Sequence, residues 1–216
     1  SWHVIPRNVR GCWNLGYCGM GCPSNAKQSM MVTTIPATLE KGGELLYLAR
    51  VEKLLISGDK VTGLHCVAMD QRCVEPTGRS ISVKARHYVL AGGGINSPAL
   101  LLRSDAPDPH ERIGKRTFLH PVNMSAARFA EVVNPFYGAP QSIYSDHFQW
   151  KDGTTGPMAF KLEVPPLHPA LAATLLGGFG KENAQHMADL PHTHAMLALL
   201  RDGFHPDSSG GSVELR

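Results

Sequence analysis

RHYVLAGGGINSPALLLRS, residues 86–104, is the stretch whose reading decides the fold. The apolar run Tyr88, Val89, Leu90, Ala91 reaches Gly92, Gly93 and Gly94, and Ser97-Pro98 then opens a second apolar run to Leu102. A buried strand needs an unbroken apolar run, and glycine permits close backbone approach and positive φ. Ser followed by Pro suits a helix cap and first turn. The stretch therefore predicts a strand, a tight glycine turn and a helix. The unpaired N–H groups at such a helix start favour an anion, commonly a phosphate. The same residues serve equally well as a plain strand-to-helix connection, and spacing does not separate the two.

The residues before this stretch carry the clearest β signal. Residues 44–50 and 51–56 read as strands, 57–60 (SGDK) as a turn, 61–69 as a strand returning antiparallel, and 79–84 as a third strand after a loop holding Pro76 and Gly78. This meander is expected to cover one face of a main parallel sheet. Further upstream, residues 29–41 predict a helix kinked or divided at Pro36 and stopped by Gly42-Gly43, and residues 1–28 predict a structured loop. Downstream, residues 104–122 form a long connection with a domain boundary near Pro121. Residues 123–132 and 158–164 predict strands, and residues 169–202 a helical region broken at Gly177-Gly178. The chain thus divides into residues 1–121 and 122–216.

Composition narrows the function classes. Hydrophobic residues make up 43% and charged residues 18%, values of a folded chain with a real core. The net charge of +3 is spread without a basic block, so nothing points to nucleic acid. No apolar run approaches the roughly 20 residues of a membrane helix, and no signal peptide is recognised. The chain begins at Ser1, which is the expectation for a processed product or a piece of a longer protein. Five cysteines form no CxxC pair. Cys12, Cys18 and Cys22 could gather around iron or zinc, but three thiols lack the fourth ligand of a structural zinc site, and buried small hydrophobes beside a turn are the plainer reading. Among the late histidines, Pro191 separates His186 from His192, His194 and His205, and no carboxylate stands at HExxH spacing, so they read as packing or solvated side chains. Neither GxSxG nor GxGxxG occurs.

Four segments in order resemble the glucose-methanol-choline (GMC) flavin oxidoreductases. VLAGGGINSPALLLRS looks like the family's second signature, and IGKRTFLHP resembles the passage that follows it. GCPSNAKQSMMVTTIPATLEKGG is similar to the segment carrying the family's Pro-Ala helix, and ARVEKLLISGDKVTGLHCVA to its adenine-side strand and meander. The resemblance spans about residues 11–121. It implies an α/β (α+β overall) fold: part of a Rossmann-like FAD-binding domain with a β-meander over residues 1–121, then the start of an antiparallel-sheet substrate domain over residues 122–216. It implies FAD as cofactor and hydride transfer from the CH–OH group of an alcohol, sugar or sterol-like small molecule, with an electron acceptor left open. Carried over, Val51 would meet the adenine through its backbone, and Ala91, Gly92 and Gly93 would lie along the adenosine or pyrophosphate, with Asn96 and Ser97 beside them. The family's GxGxxG lies before the matched region and its catalytic His after it, so no catalytic residue is assigned, and the fragment alone is expected to be inactive and to bind FAD weakly. Where the family continues with Ser-Gly, this chain has Ser104-Asp105. An alternative from another class is an iron–sulfur or other metal-binding electron-transfer module on Cys12, Cys18 and Cys22.

Overall fold

The computed structural model describes residues 1–153, 159–203 and 205–215. In chain order they form β1 (His3–Val4), α1 (Thr34–Glu40), β2 (Ala49–Ser57), β3 (Lys60–Met69), β4 (Pro76–Val83), α2 (Gly93–Arg103), β5 (Lys115–Thr117), β6 (Val122–Arg128), β7 (Ile143–Ser145), β8 (Phe160–Glu163), α3 (Pro169–Leu175), α4 (Lys181–Ala188), a 3-10 turn (Leu190–His192), β9 (Thr193–Leu200) and β10 (Gly211–Ser212). The fold is mixed α/β with antiparallel sheets. Two compact units share it: Ser1–Gly42 with His120–Pro206, and Gly43–Leu119 with Asp207–Arg216.

The second unit is built on the meander β2-β3-β4. Ser57 pairs with Lys60 across a two-residue loop. Gly58 takes φ +60° while Asp59 does not turn positive, the glycine-first pattern of a hairpin whose twist matches its strands. Residues 44–48 stay outside the ladder, so the two strands expected over 44–56 are one strand, β2. Helix α2 packs on β2 through its last turn. Leu54 and Leu100 are buried together with Ser104, a polar side chain only 5% exposed. The Ser104 hydroxyl donates to the Leu100 carbonyl at 2.6 Å and accepts from the Leu54 N–H at 2.8 Å. Both buried groups are thereby satisfied across the helix-strand contact. An exposed ion pair, Lys53 Nζ to Asp105 at 3.0 Å, lies beside it.

Two features of residues 86–104 differ from the sequence expectation. Helix α2 begins at Gly93, with Gly92 as its cap, so Ser97 and Pro98 lie inside it instead of opening it. Residues 88–91 join no strand, and Val89 is 90% exposed. A parallel strand is stable when neighbours pair both its edges and cover its faces. No described strand pairs with residues 88–91, and every pairing between named strands is antiparallel.

The first unit holds the sheet β1-β7-β8-β9-β6. Its core is Leu167, Ala172, Leu190 and Ala195, with Phe136, Leu176 and Met187 packed against them. His168 caps α3, its Nδ1 accepting from the Ala170 N–H at 3.3 Å, and Pro169 occupies the first turn. The helical reading of residues 169–202 holds for α3 and α4 and fails beyond them. HTHAMLALL carries β9, paired with β8 on one side and β6 on the other. A short apolar run reads alike as buried helix or central strand, and here two waiting edges decide it. Helix α1 is shorter than residues 29–41, and Pro36 sits in its first turn, where no N–H is needed, so nothing is broken there. The expected strands at 123–132 and 158–164 become β6 and β8, Met158 lying outside the described residues.

Truncating Leu167, only 1% exposed, to Ala should cost about 2–5 kcal/mol, read as a lower midpoint in urea unfolding. Ser104→Ala should cost about 1–3 kcal/mol, because the buried Leu54 N–H loses its acceptor. Amide exchange of Leu54 reports this directly; protection equal to that of the unsubstituted chain would show that the hydroxyl does not secure the contact.

Candidate functional site

The candidate cofactor residues fall on one helix start and one strand of the second unit. Ala91, Gly92, Gly93, Asn96 and Ser97 come together at the beginning of α2. A Cβ on Gly92 would stand 3.2 Å from the Asn96 Cβ and the Ser97 backbone N, and 3.3 Å from the Ser97 Oγ, so the chain passes there with no room for a side chain. Gly93 takes φ +77°, a conformation that favours glycine, and a Cβ on it or on Gly94 would meet no atom within 4 Å. No side chain caps the helix. Its first N–H groups are therefore bare of side chains on an exposed surface, the arrangement an anionic group can approach. Val51 lies half-buried on β2, opposite Cys66. The α2–β2 hydrogen bonds and ion pair join Glu52, Lys53 and Leu54 to Arg103, Asp105 and Ser104. That end of the helix is about 16 Å along the axis from Gly92.

A second candidate lies in the first unit, where a cavity of about 610 Å3 is lined by Cys12, Cys18 and Cys22 together with Arg7, Lys27 and Glu163. The local sequence folds the Cys22 sulfur into a ring of donors. Cys22-Pro23-Ser24-Asn25 makes a turn closed by the Asn25 N–H on the Cys22 carbonyl at 3.0 Å, with Pro23 at the position its fixed φ suits. The chain then curls back, and the Ala26 N–H donates to Cys22 Sγ at 3.3 Å while the Ser24 hydroxyl lies 3.5 Å away. The Ser24 hydroxyl first, then the Lys27 and Ala26 backbone N–H groups, lower the Cys22 thiol to about 7. Cys12 is held differently: its Sγ faces Asn14 Oδ1 at 3.7 Å as donor and accepts from the Asn14 N–H at 3.4 Å. Cys18 is exposed. In the second unit Cys73 is exposed, and burial pushes the Cys66 thiol up.

Among the described residues no three His, Cys, Asp or Glu side chains are gathered so as to hold a metal ion. The three thiols share a cavity wall but do not form a ligand set, and the metal-centred alternative loses its basis. The late histidines serve structural contacts: His192 Nδ1 lies 3.1 Å from the Glu131 carbonyl, and His194 meets the Phe129 ring edge-on at 6.1 Å. His186 is exposed in the last turn of α4. The donor ring around Cys22 escaped the sequence reading. Its signal was the Cys-Pro-Ser-Asn order, in which turn residues directly after a thiol fold N–H groups back upon it.

Residues 1–122 match the family model described as GMC oxidoreductase. An uncharacterized GMC-type oxidoreductase of Mycobacterium tuberculosis is 30% identical over 198 residues, 92% of this chain and 29% of the relative. Another from Sinorhizobium fredii is 33% identical over 136 residues, 62% of this chain and 26% of the relative. The chain thus spans less than a third of the length of these curated relatives. Among solved structures, pyridoxine 4-oxidase from Mesorbium loti is similar over 82% of this chain and 33% of its own, with 16% identity and a TM-score of 0.48. With more than half of its length under the family model, the chain belongs to the GMC oxidoreductase family.

Proposed function

We propose that this chain contributes the adenosine- or pyrophosphate-contacting part of an FAD site, together with the start of the substrate side, to an oxidoreductase acting on the CH–OH group of a small alcohol or sugar. The observation that carries the reading is the start of α2, where the N–H groups are uncapped by any side chain and two glycines leave the approach open. A phosphate-bearing group fits such a surface, since partial positive charge and free donors coincide there. Gly92 keeps the backbone tight against Asn96 and Ser97, and Gly93 supplies the positive φ that turns the chain into the helix. The Val51 backbone, on the strand that receives the other end of the helix, completes the proposed contacts. FAD, when bound, supplies the hydride acceptor. The residues named here bind and orient it; none of them is assigned the proton transfer.

The protein carrying this chain should therefore purify with flavin absorbance that bleaches anaerobically under an alcohol or sugar substrate. A colourless protein that takes up no FAD on reconstitution would end the assignment. Gly93→Asp should lower FAD affinity at least tenfold, since it sets a carboxylate where the phosphate is expected and forces a side chain into positive φ. Gly93→Ala separates the two effects: it should cost about 1 kcal/mol of stability, a fall in Tm of roughly 2–4 °C, with a smaller loss of FAD. Equal FAD affinity in Gly93→Asp and the parent would place the cofactor elsewhere.

A further inference from the structure

The three-thiol cavity of the first unit is lined by none of the residues named for FAD, and its three thiols are held differently. Cys12, Cys18 and Cys22 line both the cavity of about 610 Å3 and a small adjoining one. Cys12 bonds with Asn14, donating to its Oδ1 at 3.7 Å and accepting from its N–H at 3.4 Å. The Cys22 sulfur receives the Ala26 N–H at 3.3 Å with the Ser24 hydroxyl 3.5 Å away, and donors gathered on a sulfur stabilise its thiolate. Arg7 and Lys27 put positive charge on the wall, while the one wall carboxylate, Glu163, is already matched by Lys161 at 2.8 Å.

We propose that this cavity is a thiol–disulfide exchange site, in which Cys22 attacks a small disulfide carrying carboxylates and Cys18 resolves the product. In the first step the Cys22 thiolate displaces one sulfur of the small disulfide. Its S–S bond breaks, a mixed disulfide forms on Cys22, and the other half leaves as a thiolate that takes a proton from solvent. In the second step Cys18, deprotonated to solvent, attacks the Cys22 sulfur. The mixed disulfide breaks, the second half leaves as a thiol, and Cys18 and Cys22 are joined. The two protein thiols lose two electrons and the small disulfide gains them. Cys18 fits the resolving role because it shares both cavity walls with Cys22, lies four residues away and is exposed. At pH 7 a thiol lowered from 9.0 to about 7 holds roughly fifty times more thiolate. Its lower intrinsic nucleophilicity takes back about eightfold, leaving a net advantage of about sixfold.

The test uses the reduced chain, freed of reductant, with glutathione disulfide as probe and mass spectrometry of the tryptic peptide covering residues 11–27, which carries all three thiols. The peptide should emerge two hydrogens lighter with its bond between Cys18 and Cys22. Cys18→Ser should trap one glutathione on Cys22, and Cys22→Ser should remove the fast phase. Cys12→Ser should leave both unchanged. The fast phase should exceed the rate of the urea-unfolded chain about sixfold, and cystamine, a cationic disulfide, should react more slowly than the anionic probe. Adducts that follow exposure instead, on Cys18 and Cys73 first, or a fast phase that survives Cys22→Ser, would overturn the proposal. So would a trapped adduct in Cys18→Ser without the internal disulfide in the parent, or equal rates for the two probes.

Discussion

Every backbone N–H and C=O removed from water needs a partner, and the two apolar runs most alike in this sequence separate on that constraint alone. YVLA at residues 88–91 and AMLALL at residues 195–200 both read as buried elements. The second has β8 and β6 on its two sides and becomes the strand β9. The first pairs with no strand among the described residues, its Val89 side chain turned out to solvent. A sequence window records how apolar a run is; it does not record whether an edge is waiting for it.

The same constraint explains why Ser104 is a serine. A helix that docks on a strand at its last turn brings carbonyls and a strand N–H into a dry contact. One hydroxyl, donating to Leu100 and accepting from Leu54, satisfies a group on each element. Leu54 and Leu100 supply the apolar area, but the hydroxyl decides that the two surfaces can close without an orphaned donor. The departure from the family's Ser-Gly to Ser104-Asp105 leaves this arrangement in place, with Asp105 at φ +51° and paired to Lys53.

Local chemistry was the legible part of the sequence. The Gly58-Asp59 hairpin, the antiparallel meander and the helix over LLLR all follow from residues within a few positions of one another. What misled was Ser97-Pro98, whose cap-like order predicts a helix start. Gly92 and Gly93 begin the helix five residues earlier because the glycine backbone can turn there and approach the first turn closely. Pro36 misled in the opposite sense, since its disruption depends on where the helix begins, which the sequence left open. The candidate cofactor residues were reached through the order of four segments, while the cavity of the first unit draws on residues from 5 to 166 and has no local signature.

The thiol chemistry at Cys22 differs in origin from the anion-favouring helix start, though both rest on backbone N–H groups. At α2 the donors are left over by the helix itself, and their charge is a property of the helix end. Around Cys22 they are gathered by a proline turn and aimed at one sulfur without the thiol being buried. Solvent screening is then strong, so the ring can favour the thiolate only through direct hydrogen bonds, and the Ser24 hydroxyl leads among them. A reactive sulfur made this way needs no desolvated pocket. It follows that the cavity's own contribution is to admit the second reactant and to hold the second thiol, a role that charge on Arg7 and Lys27 and access through Cys18 can serve.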